Sequence, residues 1–215
     1  MTPGDALARG VDALALELPA ETHARLLAYL ELIRKWNRTY NLTAIRDPLT
    51  MVTHHLLDSL AVVPHLDREG TTLRIADVGS GAGLPGVPFA LARPDWRLTL
   101  NDRSGKKAAF LRQAKIELAL MNVEVHEGDA ARWHPQARFH CVISRAFSAL
   151  DAFVATCRHL VAPGGLLAAM KGARPGDGLE ATGREVDCSD VRRLQVPLLD
   201  AVRHLVLCRV NEVRG

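Results

Sequence analysis

From residue 73 onward the chain alternates short aliphatic runs with longer amphipathic segments, and this alternation constrains the fold more than any other feature. The runs 73–78 (LRIADV), 97–102 (RLTLND), 123–128 (VEVHEG), 141–146 (CVISRA) and 166–172 (LLAAMKG) read as strands. Helix-like segments such as GKKAAFLRQAKIELAL and LDAFVATCRHLV separate them. Strands joined by helical crossovers run parallel, with helices on both faces of the sheet. The tail differs, because VRRLQVPL and RHLVLCRV stand only a few residues apart and read as a hairpin. The expected fold is Rossmann-like α/β: a mostly parallel seven-stranded sheet with one antiparallel strand from the C-terminal hairpin. A ligand belongs at the carboxyl ends of its strands.

The first seventy residues have another texture. Leu26, Leu27, Leu30, Ile33 and Trp36 recur at helical spacing on one face, and a second helix is expected over DPLTMVTHHLLDSLAVVPHL. The expected division is a helical extension over 1–70 packed on a domain over 71–215. Of the 215 residues 48% are hydrophobic and 24% charged, which excludes a disordered chain. A net charge of +3 permits a nucleic-acid partner without requiring one. The four cysteines form no C-x-x-C pair, so reduced thiols and an intracellular setting are expected. No apolar run approaches the ~20 residues that span a bilayer, and the first residues lack a signal-peptide pattern. The expectation is a cytoplasmic protein with no membrane partner.

The glycine loop RIADVGSGAGLPG (74–86) contains two overlapping patterns. From Gly81 it reads G-x-G-x-x-G, the dinucleotide fingerprint. From Asp77 it reads D-x-G-x-G-x-G, which suits S-adenosyl-L-methionine. Asp102, about twenty residues on, is placed to accept from ribose hydroxyls under either reading. Asp77 separates them, since an acid beside the loop welcomes an ammonium group and repels a pyrophosphate. The Pro-Gly-Gly turn before LLAAMKG and the terminal hairpin favour the methyltransferase arrangement. A nicotinamide oxidoreductase would want a Tyr-x-x-x-Lys pair, yet Tyr29 and Tyr40 are the only tyrosines and both precede the loop. A non-catalytic RNA-binding module is the other alternative, opposed by the intact loop with Asp102 and Arg145.

For the acceptor, no Asn/Asp-Pro-Pro-aromatic motif follows the fourth strand and no Pro-Cys dipeptide offers a nucleophile. The blocks WNRTYNLTAIRDP, HHLLDSL, DVGSGAGLPGVPFA, GKKAAFLRQ, VISRAF and MKG, in this order between about residues 30 and 172, resemble the RsmG (GidB) family. That family consists of bacterial class I methyltransferases that modify N7 of guanine 527 in 16S ribosomal RNA. The resemblance implies S-adenosylmethionine contacts at Gly79, Leu84, Asp102, Arg103, Ser104, Ala130, Ala131 and Arg145. Asp77, Gly81 and Gly83 join this set from the loop pattern itself. Asp129 is a further candidate for the adenine amino group.

Guanine N7 has a lone pair and no proton to lose, so direct in-line attack needs no general base. Arg145 is the residue first expected to matter for catalysis. Lys106 and Lys107 on the basic helix, Lys171 after the fifth strand and Asn41 in the Asn-Leu-Thr block are the candidates for RNA contact, with 16S rRNA or the small subunit as partner. Arg112 and Lys115 lie on the same helix as the first two. His54 and His55 have no third ligand nearby, so no metal is expected. Trp36 belongs to the apolar stripe rather than to a base-stacking surface, and a monomer is expected.

Overall fold

Local signals start the fold. Thr2 caps the first helix: its hydroxyl accepts from the Asp5 amide at 3.1 Å while the Asp5 carboxylate accepts from the Thr2 amide at 2.8 Å. The computed structural model describes residues 1–67, 72–147, 149–172 and 186–211. In it α1 (Pro3–Ala13) and α2 (Ala20–Tyr40) are followed by α3 (Pro48–Met51), a π-helical stretch Val52–Leu57, α4 (Asp58–Leu60) and α5 (Val63–Leu66). The second expected helix is therefore broken into four pieces. Asp47 starts it by capping Thr50, and Pro64 lies within its last piece.

The α/β part runs β1 (Arg74–Val78), α6 (Gly86–Ala92), β2 (Arg97–Asp102), α7 (Gly105–Glu117), β3 (Val123–Glu127), β4 (Phe139–Ser144), α8 (Leu150–Cys157), β5 (Val161–Lys171), β6 (Val186–Leu194) and β7 (Arg203–Val210). Among the described residues one seven-stranded sheet forms in the order β3-β2-β1-β4-β5-β7-β6. β7 runs antiparallel to both its neighbours, while the other pairings are parallel, as expected from the hairpin signal.

Alternation along the strands sorts the core into two layers. Ile75, Leu98, Cys141, Ile143, Leu205 and Leu207 face a layer built with α6, α7 and the N-terminal helices. Ala76, Val78, Val142, Leu167, Val206 and Cys208 face the opposite layer, built with α8. Leu26, Tyr29 and Ile33 of α2 lie in the same cluster as Phe110 and Leu111 of α7, so the helical extension and the sheet share one core.

Three strands, β4, β5 and β6, depart from the expected bounds by two residues or more. β4 ends at Ser144, because the Ser144 hydroxyl donates to the Val78 carbonyl at 2.7 Å and accepts the Ala146 amide at 3.0 Å. Arg145 and Ala146 therefore lie in the loop beyond it. β5 begins at Val161, and Pro163-Gly164-Gly165 forms an irregularity inside the strand rather than a turn before it. Phe139 pairs with Val161 and Cys141 with Leu166, leaving the intervening residues unmatched, with Gly164 at φ 71°. β6 covers 186–194 rather than 191–198.

The expectation of four reduced cysteines also needs correction. Cys141 and Cys157 are buried thiols, but Cys188 and Cys208 form a disulfide across β6 and β7. Antiparallel register places them together, Asp187 pairing with Arg209 and Val186 with Val210. A separation of 20 residues carries no such signal by itself.

Candidate active site

At the carboxyl ends of β1 and β2 the glycine loop turns through three left-handed residues, Gly79 (φ 69°), Gly81 (φ 61°) and Gly83 (φ 87°). Two of these glycines are needed for space as well as for backbone freedom. A Cβ on Gly79 would lie 2.8 Å from that of Ala146, and one on Gly83 would lie 2.6 Å from Val87.

Side chains hold the loop from behind. The Asp77 carboxylate accepts from the Ser80 hydroxyl at 2.6 Å and from the Gly86 amide at 3.0 Å. The Tyr29 hydroxyl, brought in by α2, donates to the Ala82 carbonyl. Asp102 accepts from the Gly81 amide at 3.0 Å and from the Ser104 amide at 2.9 Å. Asp77 is fully buried, and that burial raises its pKa to about 6 against the opposing hydrogen bonds from Ser80 and Gly86. Its second oxygen is buried without a hydrogen-bond partner among the described residues.

This arrangement leaves little for a pyrophosphate. The Gly81 amide is spent on Asp102, and the amides of Gly83 and Leu84 both donate to the Ser80 carbonyl. Loop amides that point at protein acceptors cannot cradle an anion.

Beside the loop lies a cavity of about 450 Å³. Gly79, Asp102, Arg103, Lys107, Ala130 and Ala131 lie on its walls with Asp129, Phe147 and Thr156. Asn101 shapes the far wall by donating to the carbonyls of His126 (3.2 Å) and Gly128 (2.9 Å). Asp129 accepts from the Ala131 amide at 3.0 Å and starts the short turn that presents the two alanines. One wall thus offers two carboxylates and the other offers glycine backbone. These acceptors suit a neutral diol and a cationic amino group, and Arg103 and Lys107 stand beside them, Lys107 at 3.8 Å from Asp102.

Other expected site residues lie outside this wall. Gly83 and Leu84 are buried behind the loop, Leu84 within the core. Lys106 is exposed in the first turn of α7. Lys171 donates to the Phe147 carbonyl at 2.6 Å, and partial burial lowers its pKa. It thus supports a cavity-lining residue. Asn41 is exposed and ends α2 in the left-handed conformation at φ 49°.

Arg145 is not a lining residue either. Its guanidinium donates to the His54 carbonyl at 3.2 Å and to Asp58 at 3.1 Å, while Arg203 donates to the other Asp58 oxygen at 3.0 Å. Burial raises the pKa of Asp58, and the two arginines oppose that rise. The positive charge of Arg145 also acts on Asp77, Tyr29 and His55.

A second set of contacts supports this cluster. Asn37 closes two hydrogen bonds with the Thr43 backbone (2.8 and 3.0 Å), and the Thr43 hydroxyl meets His55 Nε2 at 3.0 Å. Sequence pattern assigns no role to Asn37, Tyr29, Asp58 or Asn101. Asp58 carries a usable signal as an acid within an otherwise apolar helix, and Asn101 precedes the acid that ends β2.

Comparison with known proteins matches this architecture. Residues 22–206 match the GidB family, described as rRNA small subunit methyltransferase G, so the match takes in β6 and the first half of β7 as well as the blocks between 30 and 172. A protein of Burkholderia pseudomallei (strain 1106a), "Ribosomal RNA small subunit methyltransferase G", is 49% identical, with 96% of this chain and 90% of that protein aligned. The protein of the same name from Burkholderia thailandensis is 48% identical, with 96% and 91% aligned.

Among solved structures, a predicted O-methyltransferase from Agrobacterium tumefaciens superposes with a TM-score of 0.54 at 28% identity, covering 73% of this chain and 80% of that one. A SAM-dependent methyltransferase from Aquifex aeolicus superposes with a TM-score of 0.56 at 18% identity, covering 76% and 94%, and shares the fold. The chain belongs to the GidB family of rRNA small subunit methyltransferase G proteins, enzymes whose methyl donor is S-adenosyl-L-methionine.

Proposed function

We propose that this chain methylates N7 of a guanine in 16S rRNA, guanine 527 of the small subunit, acting in the cytoplasm as a monomer. The observation that carries the reading is the meeting of three separated sequence blocks beside the glycine loop: Asn37 and Thr43 from the first, His54, His55 and Asp58 from the second, and Arg145 from the third. A generic methyl-transfer fold requires none of these contacts.

When bound, S-adenosylmethionine supplies an electrophilic methyl group. Asp102 is placed to hold a ribose diol, Gly79 presents backbone to the methionine half while Gly81 ties the loop to Asp102, and Ala130 and Ala131 border the adenine side. The buried free oxygen of Asp77 gives the loop a negative field suited to an ammonium group. N7 carries its own lone pair, so no side chain of the protein needs to take a proton. The task left to the protein is to hold the base in line about 3 Å from the carbon it attacks. Arg145, fixed by Asp58 and the His54 carbonyl, is the positioning group nearest the loop. Arg103 and Lys107 make one side of the cavity basic, Lys106 is exposed next to them on α7, and Lys171 holds the Phe147 carbonyl.

The test is methyl transfer from radiolabelled S-adenosylmethionine to small subunits lacking the modification, followed by mapping of the labelled base. Label at N7 of guanine 527, abolished by Arg145→Ala, is the expected result. Label elsewhere in the rRNA would overturn the acceptor and leave the enzyme class standing.

A further inference from the structure

A second concavity, of about 370 Å³, lies between the C-terminal half of α2 and the following loop. Arg34, Lys35, Arg38 and Arg46 line it, against a single carboxylate, Glu31. Glu31 is already engaged by Arg34 at 2.7 Å. Among the described residues Lys35, Arg38 and Arg46 have no carboxylate partner within salt-bridge distance. All four cations are exposed.

Basic residues on a helix are ordinarily solvated and carry no further meaning. Two features set this group apart. Arg34, Lys35 and Arg38 of α2 and Arg46 of the loop line one concavity, so the basic surface spans two segments rather than a single helix face. The loop wall is also fixed, because buried Asn37 grips both backbone groups of Thr43 and the Thr43 hydroxyl accepts from the Ile45 amide at 3.1 Å. A wall fixed before binding spares the cost of ordering it on contact.

The same Thr43 hydroxyl meets His55, and the carbonyl of the preceding residue, His54, accepts from Arg145. The groove is therefore joined to the site by two polar contacts and one peptide link.

We propose that this groove holds the phosphate backbone of the rRNA substrate at nucleotides flanking the methylated base. The inference rests on the rRNA reading above and adds a binding surface to it. Planar guanidinium groups on two walls suit phosphodiester oxygens, and three cations without a carboxylate partner among the described residues match a polyanion better than a single acidic side chain. Contacts of this kind set position and affinity without reading sequence.

The experiment compares the natural chain with Arg38→Gln/Arg46→Gln and with a control, Arg97→Gln/Arg138→Gln, which removes equal charge at the opposite ends of the strands. Each is assayed for methyl transfer to unmodified small subunits, for binding to a 16S rRNA transcript across a salt series, and for S-adenosylhomocysteine affinity. The groove variant is expected to raise KM for the subunit roughly 10-fold and to lower the log–log salt slope by about 2, near one for each phosphate no longer neutralised. The control is expected to change neither, and all three proteins should bind S-adenosylhomocysteine alike.

A groove variant that matches the control overturns the proposal. So does a defect seen on the subunit but absent on the naked transcript, which would assign the groove to a ribosomal protein. If the natural chain neither methylates nor binds rRNA while binding S-adenosylhomocysteine, the rRNA reading itself falls.

Discussion

Arg145 and Asp58 lie 87 residues apart and meet at 3.1 Å. Asp58 is almost wholly buried, and its other oxygen takes Arg203. A buried carboxylate shared by two arginines ties α4, the loop after β4 and β7 to one point. Removing it leaves two partly buried guanidinium groups without their counter-charge, a more costly event than deleting the whole network. Asp58→Ala is therefore expected to lower unfolding stability by about 2–3 kcal/mol, toward the low end for a broken buried pair because both arginines keep some solvent. Denaturant titration measures this. Methyl transfer should fall further than the folded fraction does, since Arg145 loses its bearing; activity that merely tracks the folded fraction would rule out a positioning role.

Tyr29 gives a second test of how the helical extension serves the site. Its hydroxyl is the partner of the Ala82 carbonyl inside the glycine loop, and its ring is fully buried. Tyr29→Phe keeps the packing and orphans that carbonyl. The expected cost is about 1–2 kcal/mol of stability. A several-fold drop in S-adenosylhomocysteine affinity, read by calorimetry, should accompany it, because the loop loses one of its four side-chain anchors.

The sheet, its antiparallel strand and the position of Asp102 are legible in the sequence because they follow from local pattern: two-residue alternation, glycine spacing and a hairpin-length gap. Gly79 and Asp102 on the cavity wall are legible for the same reason, whereas Arg103, Ala130 and Ala131 come only from what the family resemblance implies. What escapes the sequence depends on contacts between distant segments. Loop pattern alone would turn Asp77 toward a ligand, yet β1 register turns it inward onto Ser80 and Gly86. Sequence reading expects Arg145 beside the cofactor, yet the strand ends at Ser144, whose hydroxyl donates to the Val78 carbonyl, and the Arg145 side chain goes to Asp58. Cys188 and Cys208 become a pair only through the register of β6 and β7. The π-helical stretch at Val52–Leu57 carries no breaker residue that would announce it.

Gly86 and Gly4 separate packing from backbone effects. A Cβ on Gly86 would lie 2.2 Å from buried Leu100 and 2.9 Å from the Asp77 carboxylate that accepts the Gly86 amide. Gly86→Ala must displace one or both, so it is expected to cost about 3 kcal/mol and to weaken S-adenosylhomocysteine binding through the loop. On Gly4, in the first turn of α1, the nearest atoms would be 3.8 Å away. Gly4→Ala should therefore stabilise by about 0.5 kcal/mol through helix propensity. Thermal midpoints of the two variants should move in opposite directions, and equal shifts would contradict the packing argument.

The acid response sets two buried groups against each other. Burial, aided by the charge of Arg145, lowers the pKa of His55 to about 4 from its usual 6.5, so the fold prefers the neutral ring. Its contribution is full above pH 6.5 and disappears as pH falls toward 4. Burial raises Asp77 to about 6 from 3.8, so the fold prefers its protonated form. That cost is present above pH 6 and is relieved as pH falls toward 4. Between pH 4 and 6 the two slopes, each at most about 1.4 kcal/mol per pH unit, oppose one another. Asp77→Asn removes the relief, so its stability relative to the natural chain should fall as pH drops from 6 to 4. His55→Gln removes the opposing destabilisation, so its relative stability should rise over the same interval. Urea unfolding of the three proteins at pH 4.5, 5.5 and 7 measures both differences; slopes of the same sign in the two variants would show that one of these groups is not buried as described.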